Sequence, residues 1–358
     1  MSENNPYDAL MERLDFAGST RLKPILEELM SPDQAQMVAS LPGTPQEVAD
    51  NTGIDINRVN DSLDELFYKG VIFPRGDFRR REFYRFARSI GQLHDAVLAT
   101  RELDVKKDRK FFEMWYDFVM NEMYPYFAKD MKRRDRRVDR IVPAYKAIKD
   151  LDGVLPEENF PELLKAQELI AVVPCSCRLC TDSVGERCDI HDEVAHWSCI
   201  QFGRAADYVI ARGSGKELSL EEALELNDII EENGLLHKWN NNAAIIGPRL
   251  SCQCCRDCCM MYVPIDQAGL DIGLIWEKSR YVAEVNQDDC SGCQTCMDRC
   301  LFDAIDMVRP EGSKKYKAEI NAENCYGCGS CAVGCATGAI KMKVVRPPEH
   351  IPPAPEKA

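Results

Sequence analysis

Two segments near the C-terminus share one cysteine spacing, and this spacing constrains the chain more than any other feature. Each segment follows the pattern C-x2-C-x2-C-x3-C. The eight cysteines are Cys290, Cys293, Cys296, Cys300, Cys325, Cys328, Cys331 and Cys335. Thiolates this close together repel one another unless a cation neutralises them, so the pattern predicts metal binding. Zinc also binds C-x2-C pairs, but two complete runs with this spacing favour iron–sulfur clusters.

The two runs resemble the bacterial two-cluster ferredoxins, in which three thiolates of one run hold a [4Fe–4S] cluster and the fourth reaches the other cluster. The resemblance implies that a first cluster binds Cys290, Cys293, Cys296 and Cys335. It implies that a second cluster binds Cys325, Cys328, Cys331 and Cys300. The proline that usually follows the fourth cysteine is replaced here by Leu301 and Ala336.

The repeat extends beyond the cysteines. After each fourth cysteine the spacing C-x3-A-I-x-M recurs, as Ala304, Ile305 and Met307 and then as Ala339, Ile340 and Met342. This recurrence predicts two pseudo-symmetric halves around one apolar core. Gly292, Gly327 and Gly329 permit the tight backbone paths that cluster-binding loops require.

Ten more cysteines fall in two dense upstream groups, and none precedes Cys175. They are Cys175, Cys177, Cys180, Cys188, Cys199, Cys252, Cys254, Cys255, Cys258 and Cys259. We interpret them as ligands of one or two further iron–sulfur clusters; zinc and a redox-active disulfide are the alternatives. His191 and His196 lie in the first group and offer further ligands, although a lone histidine is more often a surface or hydrogen-bonding residue.

Residues 165–340 also resemble poorly characterised iron–sulfur proteins of anaerobic bacteria. These proteins pair a PCSCR-like segment with a cysteine-crowded CxCC segment ahead of a two-cluster ferredoxin domain. The resemblance implies low-potential electron transfer to or from a larger oxidoreductase. The redox partner would be a flavoprotein or a multi-subunit enzyme.

The N-terminal region predicts two short helices and a hairpin. Thr44, Pro45 and Glu47 form the start of a helix that ends at Gly53, and Asp55 begins a second helix. A strand–turn–strand pattern follows. Residues 18–90 therefore resemble a winged helix-turn-helix, whose wing would carry three arginines at 79–81. The second helix is acidic, which argues against DNA binding.

The sequence as a whole predicts an α+β multidomain protein. We expect a winged-helix-like domain at 1–90, a helical connector at 91–170, a cysteine-rich metal-binding domain at 171–284, a two-[4Fe–4S] ferredoxin domain at 285–345 and a proline-rich tail at 346–358. The 358 residues carry a net charge of -14, which disfavours nucleic acid as a partner. No apolar run reaches the roughly 20 residues of a membrane span, and the polar N-terminus predicts a cytoplasmic protein.

These features predict a ferredoxin-like electron-transfer subunit or adaptor rather than a self-contained enzyme. No G-x-G-x-x-G or P-loop signature supports a bound nucleotide. The alternative function is a redox-responsive transcription regulator that uses the winged helix. The sequence leaves the oligomeric state open.

Overall fold

The computed structural model describes residues 5–100, 103–131, 139–185, 197–241, 249–267, 269–312 and 314–351. Cys188, His191, His196, the basic run at 132–137 and the tail residues 352–358 lie outside the described residues. Among the described residues, no helix has the length and apolar character needed to cross a bilayer.

The described residues form the following helices and strands, in chain order. The helices are α1 Pro6–Arg13, α2 Leu22–Leu29, α3 Pro32–Ser40, α4 Pro45–Thr52, α5 Ile56–Tyr68, α6 Ile90–Leu98, α7 Arg109–Phe118, α8 Tyr124–Met131, α9 Tyr145–Ile148, α10 Phe160–Lys165, α11 Ser176–Ser183, α12 Gly203–Ala211, α13 Leu220–Glu232, α14 Val263–Gln267, α15 Thr295–Asp298 and α16 Ser330–Val333. The strands are β1 Ile72–Pro74, β2 Tyr84–Phe86, β3 Asp139–Val142, β4 Ile170–Pro174, β5 Trp197–Phe202, β6 Lys216–Leu218, β7 Leu236–Asn240, β8 Leu250–Cys254, β9 Trp276–Glu277, β10 Tyr281–Val285, β11 Ile305–Val308, β12 Lys317–Ile320 and β13 Ile340–Val344.

The chain divides into two compact units whose segments interleave in the sequence. The first unit comprises Met1–Tyr126, Val173–Cys188 and Asp207–Lys216. The second unit comprises Phe127–Val172, Asp189–Ala206 and Glu217–Ala358. The boundaries of the five segments expected from the sequence remain predictions.

In the first unit, the two predicted helices and the hairpin are confirmed. Thr44 and Glu47 form a capping box at the start of α4, and Gly53 ends α4 with a left-handed backbone. Asp55 caps α5, whose buried face consists of Val59, Leu63, Leu66 and Phe67. Strands β1 and β2 pair in antiparallel fashion. These elements are those of a winged helix, although that family assignment remains a prediction.

All three arginines at 79–81 are held in ion pairs within the first unit, Arg80 with Asp77 at 3.9 Å. Arg79 bonds Asp207 on α12 at 2.8 Å, and Arg81 bonds Asp64 on α5 at 3.0 Å. The ring of Tyr208 stacks on Phe73 of β1 at 4.8 Å between centroids. The hairpin is therefore fastened to its own unit by charge and by aromatic packing.

A seven-stranded sheet runs in the order β6-β4-β5-β8-β7-β3-β9. Strands β5 and β8, β8 and β7, and β7 and β3 pair in antiparallel fashion, whereas β3 and β9 are parallel. Helix α13, which precedes β7, begins with a capping box of Ser219 and Glu222. Strand β3 was not predicted: it lies in the region expected to be a helical connector.

The C-terminal cysteines lie in the two segments that follow β10 and β12. Strand β10 pairs with β13, and β11 pairs with β12, both in antiparallel fashion. Their apolar core holds the predicted repeat residues: Ala304, Ile305, Ala339, Ile340 and Met342 are all buried. Met307 is half-buried and packs against the same core. The predicted pseudo-symmetric core is therefore confirmed.

A buried ion pair fixes the first strand of this region. Glu158 and Arg280 lie 3.0 Å apart, with side chains that are 1% and 3% exposed. The hydroxyl of Tyr281, on β10, also donates to Glu158 at 3.1 Å. A charge buried this deeply needs its counter-charge, because desolvation is otherwise uncompensated.

We expect Glu158→Gln to lower the free energy of unfolding by about 3–5 kcal/mol, because it leaves the buried Arg280 without a counter-charge. The matched control is Glu284→Gln in the exposed pair of Glu284 with Lys343, which should cost less than about 1 kcal/mol. Urea unfolding of the anaerobically purified protein measures both. Equal unfolding midpoints for the two variants would contradict this account of the buried pair.

Candidate metal centres

The structure brings together the four cysteines predicted to bind the first cluster. Burial raises the pKa of Cys296, and the nearby thiols of Cys293, Cys290 and Cys335 raise it further. The backbone N–H of Ala318 points at the Sγ of Cys290 at 3.5 Å. Such N–H groups stabilise the negative charge of cluster-bound sulfur.

The second predicted set also converges on one place. The thiols of Cys300, Cys325, Cys328 and Cys331 line one cavity together with the apolar side chains of Ile305, Phe302 and Met342. Burial raises the pKa of Cys328 to about 12, and the charges of Cys300 and Cys325 contribute to this rise. Cys300 therefore leaves its own run and joins the three close-set thiols of the other run.

The two cysteine loops are related by a pseudo-symmetry that includes the hydrogen bonds. The N–H of Asn286 donates to the Ala339 carbonyl at 2.8 Å, and the N–H of Asn321 donates to the Ala304 carbonyl at 2.8 Å. Each pair of equivalent residues is separated by the interval between Cys290 and Cys325. The segment before each cysteine run is thus hydrogen-bonded to the start of the strand that follows the fourth cysteine of the other run.

Left-handed backbone positions recur at equivalent places in both loops. Gly292 and Gly327 have φ values of 76° and 69°. A Cβ atom at Gly327 would collide with the carbonyl oxygen of Tyr281 and with the Ser279 hydroxyl. The position after the second cysteine is also left-handed in both loops, as Gln294 at φ 70° and Gly329 at φ 78°. Gln294 shows that this conformation is imposed by the loop, since nothing in its own chemistry selects it.

Four of the ten upstream cysteines form a continuous chain of thiols in the second unit. The β5–β8 ladder brings Cys199 opposite Cys252, and Cys252 packs against the apolar cluster that contains Cys254 and Cys259. The neighbouring thiols of Cys199 and Cys254, opposed by burial and aided by the charge of Lys238, hold the pKa of Cys252 well below its usual range. A thiolate is the form that binds metal.

Lys238 is the charged residue of this group. It lies opposite Cys252 in the β7–β8 ladder, and its side chain is 5% exposed. Its ammonium lies 3.0 Å from one carboxylate oxygen of Asp139. The other oxygen of Asp139 accepts from the side-chain amide of Asn240 at 2.6 Å. Sequence reasoning missed Lys238 and Asp139; the signal for Lys238 was a lysine in the run LLHKW, which is apolar apart from His237 and Lys238.

Further upstream cysteines lie among the described residues. Cys255, Asp257 and Cys258 place their ligand atoms within 4.8 Å of one another. In the first unit, Cys180 is buried, which raises its pKa well above the usual value, and the charge of Cys175 adds to the effect. Cys177 follows Cys175 as the second residue of α11.

Aromatic side chains join the chain of thiols to the second ferredoxin-like site. One apolar cluster contains Cys254 and Cys259 together with Tyr262, Phe302 and Tyr326, and Cys300 and Cys328 pack against it. The rings of Phe302 and Tyr326 stack at 4.2 Å, and the Tyr262 hydroxyl donates to the Leu301 carbonyl at 2.5 Å. Side chains of this one apolar cluster therefore lie beside both thiol sites.

Comparison with known proteins identifies only the C-terminal region. Residues 289–339 match the family model of the 4Fe-4S dicluster domain. Searches of curated proteins and of solved structures found nothing that matches the chain. The matched segment contains all eight C-terminal cysteines, so it supports [4Fe–4S] clusters and iron–sulfur electron transfer in this region.

We expect Gly327→Ala to reduce the iron and sulfide bound by the second site, because the added methyl group meets the Tyr281 carbonyl at a left-handed position. Gly312→Ala is the matched control: φ is 78° there, but no atom lies within 4 Å of the added Cβ. That control should cost only about 1–2 kcal/mol of backbone strain. Iron and acid-labile sulfide analysis tests the pair. A full cluster content in Gly327→Ala would refute the packing argument.

Proposed function

We propose that the chain is an iron–sulfur electron-transfer protein that relays single electrons through two [4Fe–4S] clusters to or from a larger oxidoreductase. The observation that carries this proposal is the convergence of the eight C-terminal thiols into two sets, each completed by a cysteine from the other run. The first cluster would bind Cys290, Cys293, Cys296 and Cys335. The second would bind Cys325, Cys328, Cys331 and Cys300.

Four thiolates in each set favour electron transfer over catalysis. A [4Fe–4S] cube has four irons, and one cysteine on each iron leaves no open position for a substrate. The cube then changes its charge by a single electron without forming or breaking a ligand bond. The chain accordingly acts as a non-catalytic subunit or adaptor beside an enzyme, such as a flavoprotein or a multi-subunit oxidoreductase.

The first cluster is the one that meets the partner. Cys293 is exposed, whereas Cys325 and Cys331 of the other set are buried. Exposed carboxylates of Asp288, Asp289 and Asp298 flank the Cys293 loop. An acidic rim of this kind favours a partner with a basic surface, since complementary charges speed encounter between proteins.

A transcription regulator fits the same observations less well. Such a protein needs cationic side chains available for phosphate. Arg79, Arg80 and Arg81, the candidates in the wing, pair instead with Asp207, Asp77 and Asp64. Electron transfer is therefore the function we propose.

Serine substitutions test the exchange of the fourth ligands. We expect Cys300→Ser to alter the same reduced-cluster EPR signal as Cys328→Ser, and Cys335→Ser to alter the same signal as Cys293→Ser. The reason is that each fourth cysteine serves the cluster of the other run. Anaerobic EPR at stepwise potentials is the measurement, and each variant acts as the control for the opposite cluster.

The wild-type protein, reduced and then mixed with a one-electron acceptor, should return its electrons one at a time. The proposal fails if Cys300→Ser and Cys293→Ser affect one common signal. It also fails if the reduced clusters cannot pass electrons to any one-electron acceptor.

A further inference from the structure

We propose that Cys199, Cys252, Cys254 and Cys259 bind a third [4Fe–4S] cluster that exchanges electrons with the second ferredoxin-like cluster. The inference rests on the proposed electron-transfer function and extends it to a site outside the matched 289–339 segment.

The sheet places the ligands on neighbouring strands. Ile200 of β5 pairs with Ser251 of β8, so the next step of the antiparallel ladder brings Cys199 opposite Cys252. Lys238 of β7 pairs with Cys252 from the other side. Cys252 and Cys254 are two residues apart on β8 and therefore project from the same face. Cys259 packs with Cys254 in one buried apolar cluster and completes the set.

The spacing of these thiols fits a cluster better than a single ion. Four thiolates on one tetrahedral zinc lie about 3.8 Å apart, because each Zn–S bond is about 2.3 Å. Within the described residues, Cys255, Asp257 and Cys258 are the one group of three or more ligand atoms that all lie within 4.8 Å. Neither the four thiols of the proposed site nor the two ferredoxin-like quartets form such a compact group among the described residues. In that respect the proposed site resembles the ferredoxin-like quartets, in which each thiolate would bind a different iron.

A buried cation compensates the charge of the proposed cluster. A [4Fe–4S] cube with four thiolates is anionic in both of its common oxidation states, and burial of an anion is costly without a counter-charge. Lys238 supplies that charge, and Asp139 holds its ammonium in place at 3.0 Å. Apart from the pair with Asp139, the cation faces the thiols of Cys252 and Cys254 and the sulfur of Met261.

The apolar cluster beside both thiol sites provides an electron path. Cys254 and Cys259 belong to the apolar cluster against which Cys300 and Cys328 pack. The rings of Trp276 and Phe302, 6.3 Å apart, lie in the same cluster. One electron leaves the reduced cluster and reduces its oxidised neighbour; no bond forms or breaks, and no proton is transferred. The third cluster would be the inner end of a relay whose outer end is at Cys293.

Substitution of the intact, anaerobically purified chain tests the assignment. We expect Cys252→Ser and Cys259→Ser each to lose about four irons and four sulfides relative to wild type, with both ferredoxin-like EPR signals retained. Cys328→Ser is the matched ligand variant: it should alter a ferredoxin-like signal and retain the third cluster. Wild-type iron content in both Cys252→Ser and Cys259→Ser would overturn the proposal, as would loss of zinc instead of iron.

Mössbauer spectroscopy of the iron-57-enriched wild type tests the same proposal without any substitution. At least about twelve irons per chain, all in [4Fe–4S] form, is the expected result. About eight irons with both ferredoxin-like signals intact would overturn the third cluster and leave the proposed function standing. Absence of the ferredoxin-like signals themselves would refute the proposed function.

Lys238→Met should lower the reduction potential of the third cluster, because removal of a buried positive charge disfavours the more negative reduced state. Redox titration followed by EPR measures the shift. Lys343→Met, which removes a lysine that is 59% exposed, is the control and should leave that potential unchanged. An unshifted third-cluster potential in Lys238→Met would contradict the role given to this lysine.

Discussion

The exchange of one cysteine between two loops is the constraint on which the rest of the C-terminal structure depends. Cys300 must reach the thiols of Cys325, Cys328 and Cys331, and Cys335 must reach the other loop. Neither site is complete until both loops are folded against each other. With the proposed ligands, cluster binding and folding would be one process, as in other small metal domains. The paired hydrogen bonds of Asn286 and Asn321 hold this arrangement from the backbone side.

A cationic side chain lies beside the second ferredoxin-like thiol set, and another lies beside the upstream thiols. Arg299, in the first cysteine run, donates to the carbonyls of Ser330, Glu231 and Glu232 at 2.8–2.9 Å. It therefore ties α13 to the loop that follows Cys328, and its cation lies beside the second thiol set. Lys238 has the corresponding place beside the upstream thiols, with Asp139 as its partner. Cations held by fixed partners suit anionic clusters, because they stabilise the reduced state without moving.

The sequence predicts what is encoded locally. The capping boxes at Thr44 and Ser219 and the buried face of α5 follow from residues within one turn or two of one another. The recurring spacing also predicted the apolar core around Ile305 and Ile340. Strand β3 was missed because its pairing with β7 depends on residues far along the chain. The meeting of Cys199 with Cys252 was hidden for the same reason: it depends on strand order, which no local pattern encodes.

The central claim is that each of two [4Fe–4S] clusters takes three cysteines from one run and one from the other. Anomalous X-ray diffraction at the iron absorption edge, from crystals grown without oxygen, tests it most directly. The account predicts one tetranuclear iron group bound by Cys290, Cys293, Cys296 and Cys335, and another bound by Cys325, Cys328, Cys331 and Cys300. Iron groups that each take all four cysteines from a single run, or single metal ions at these positions, would contradict it.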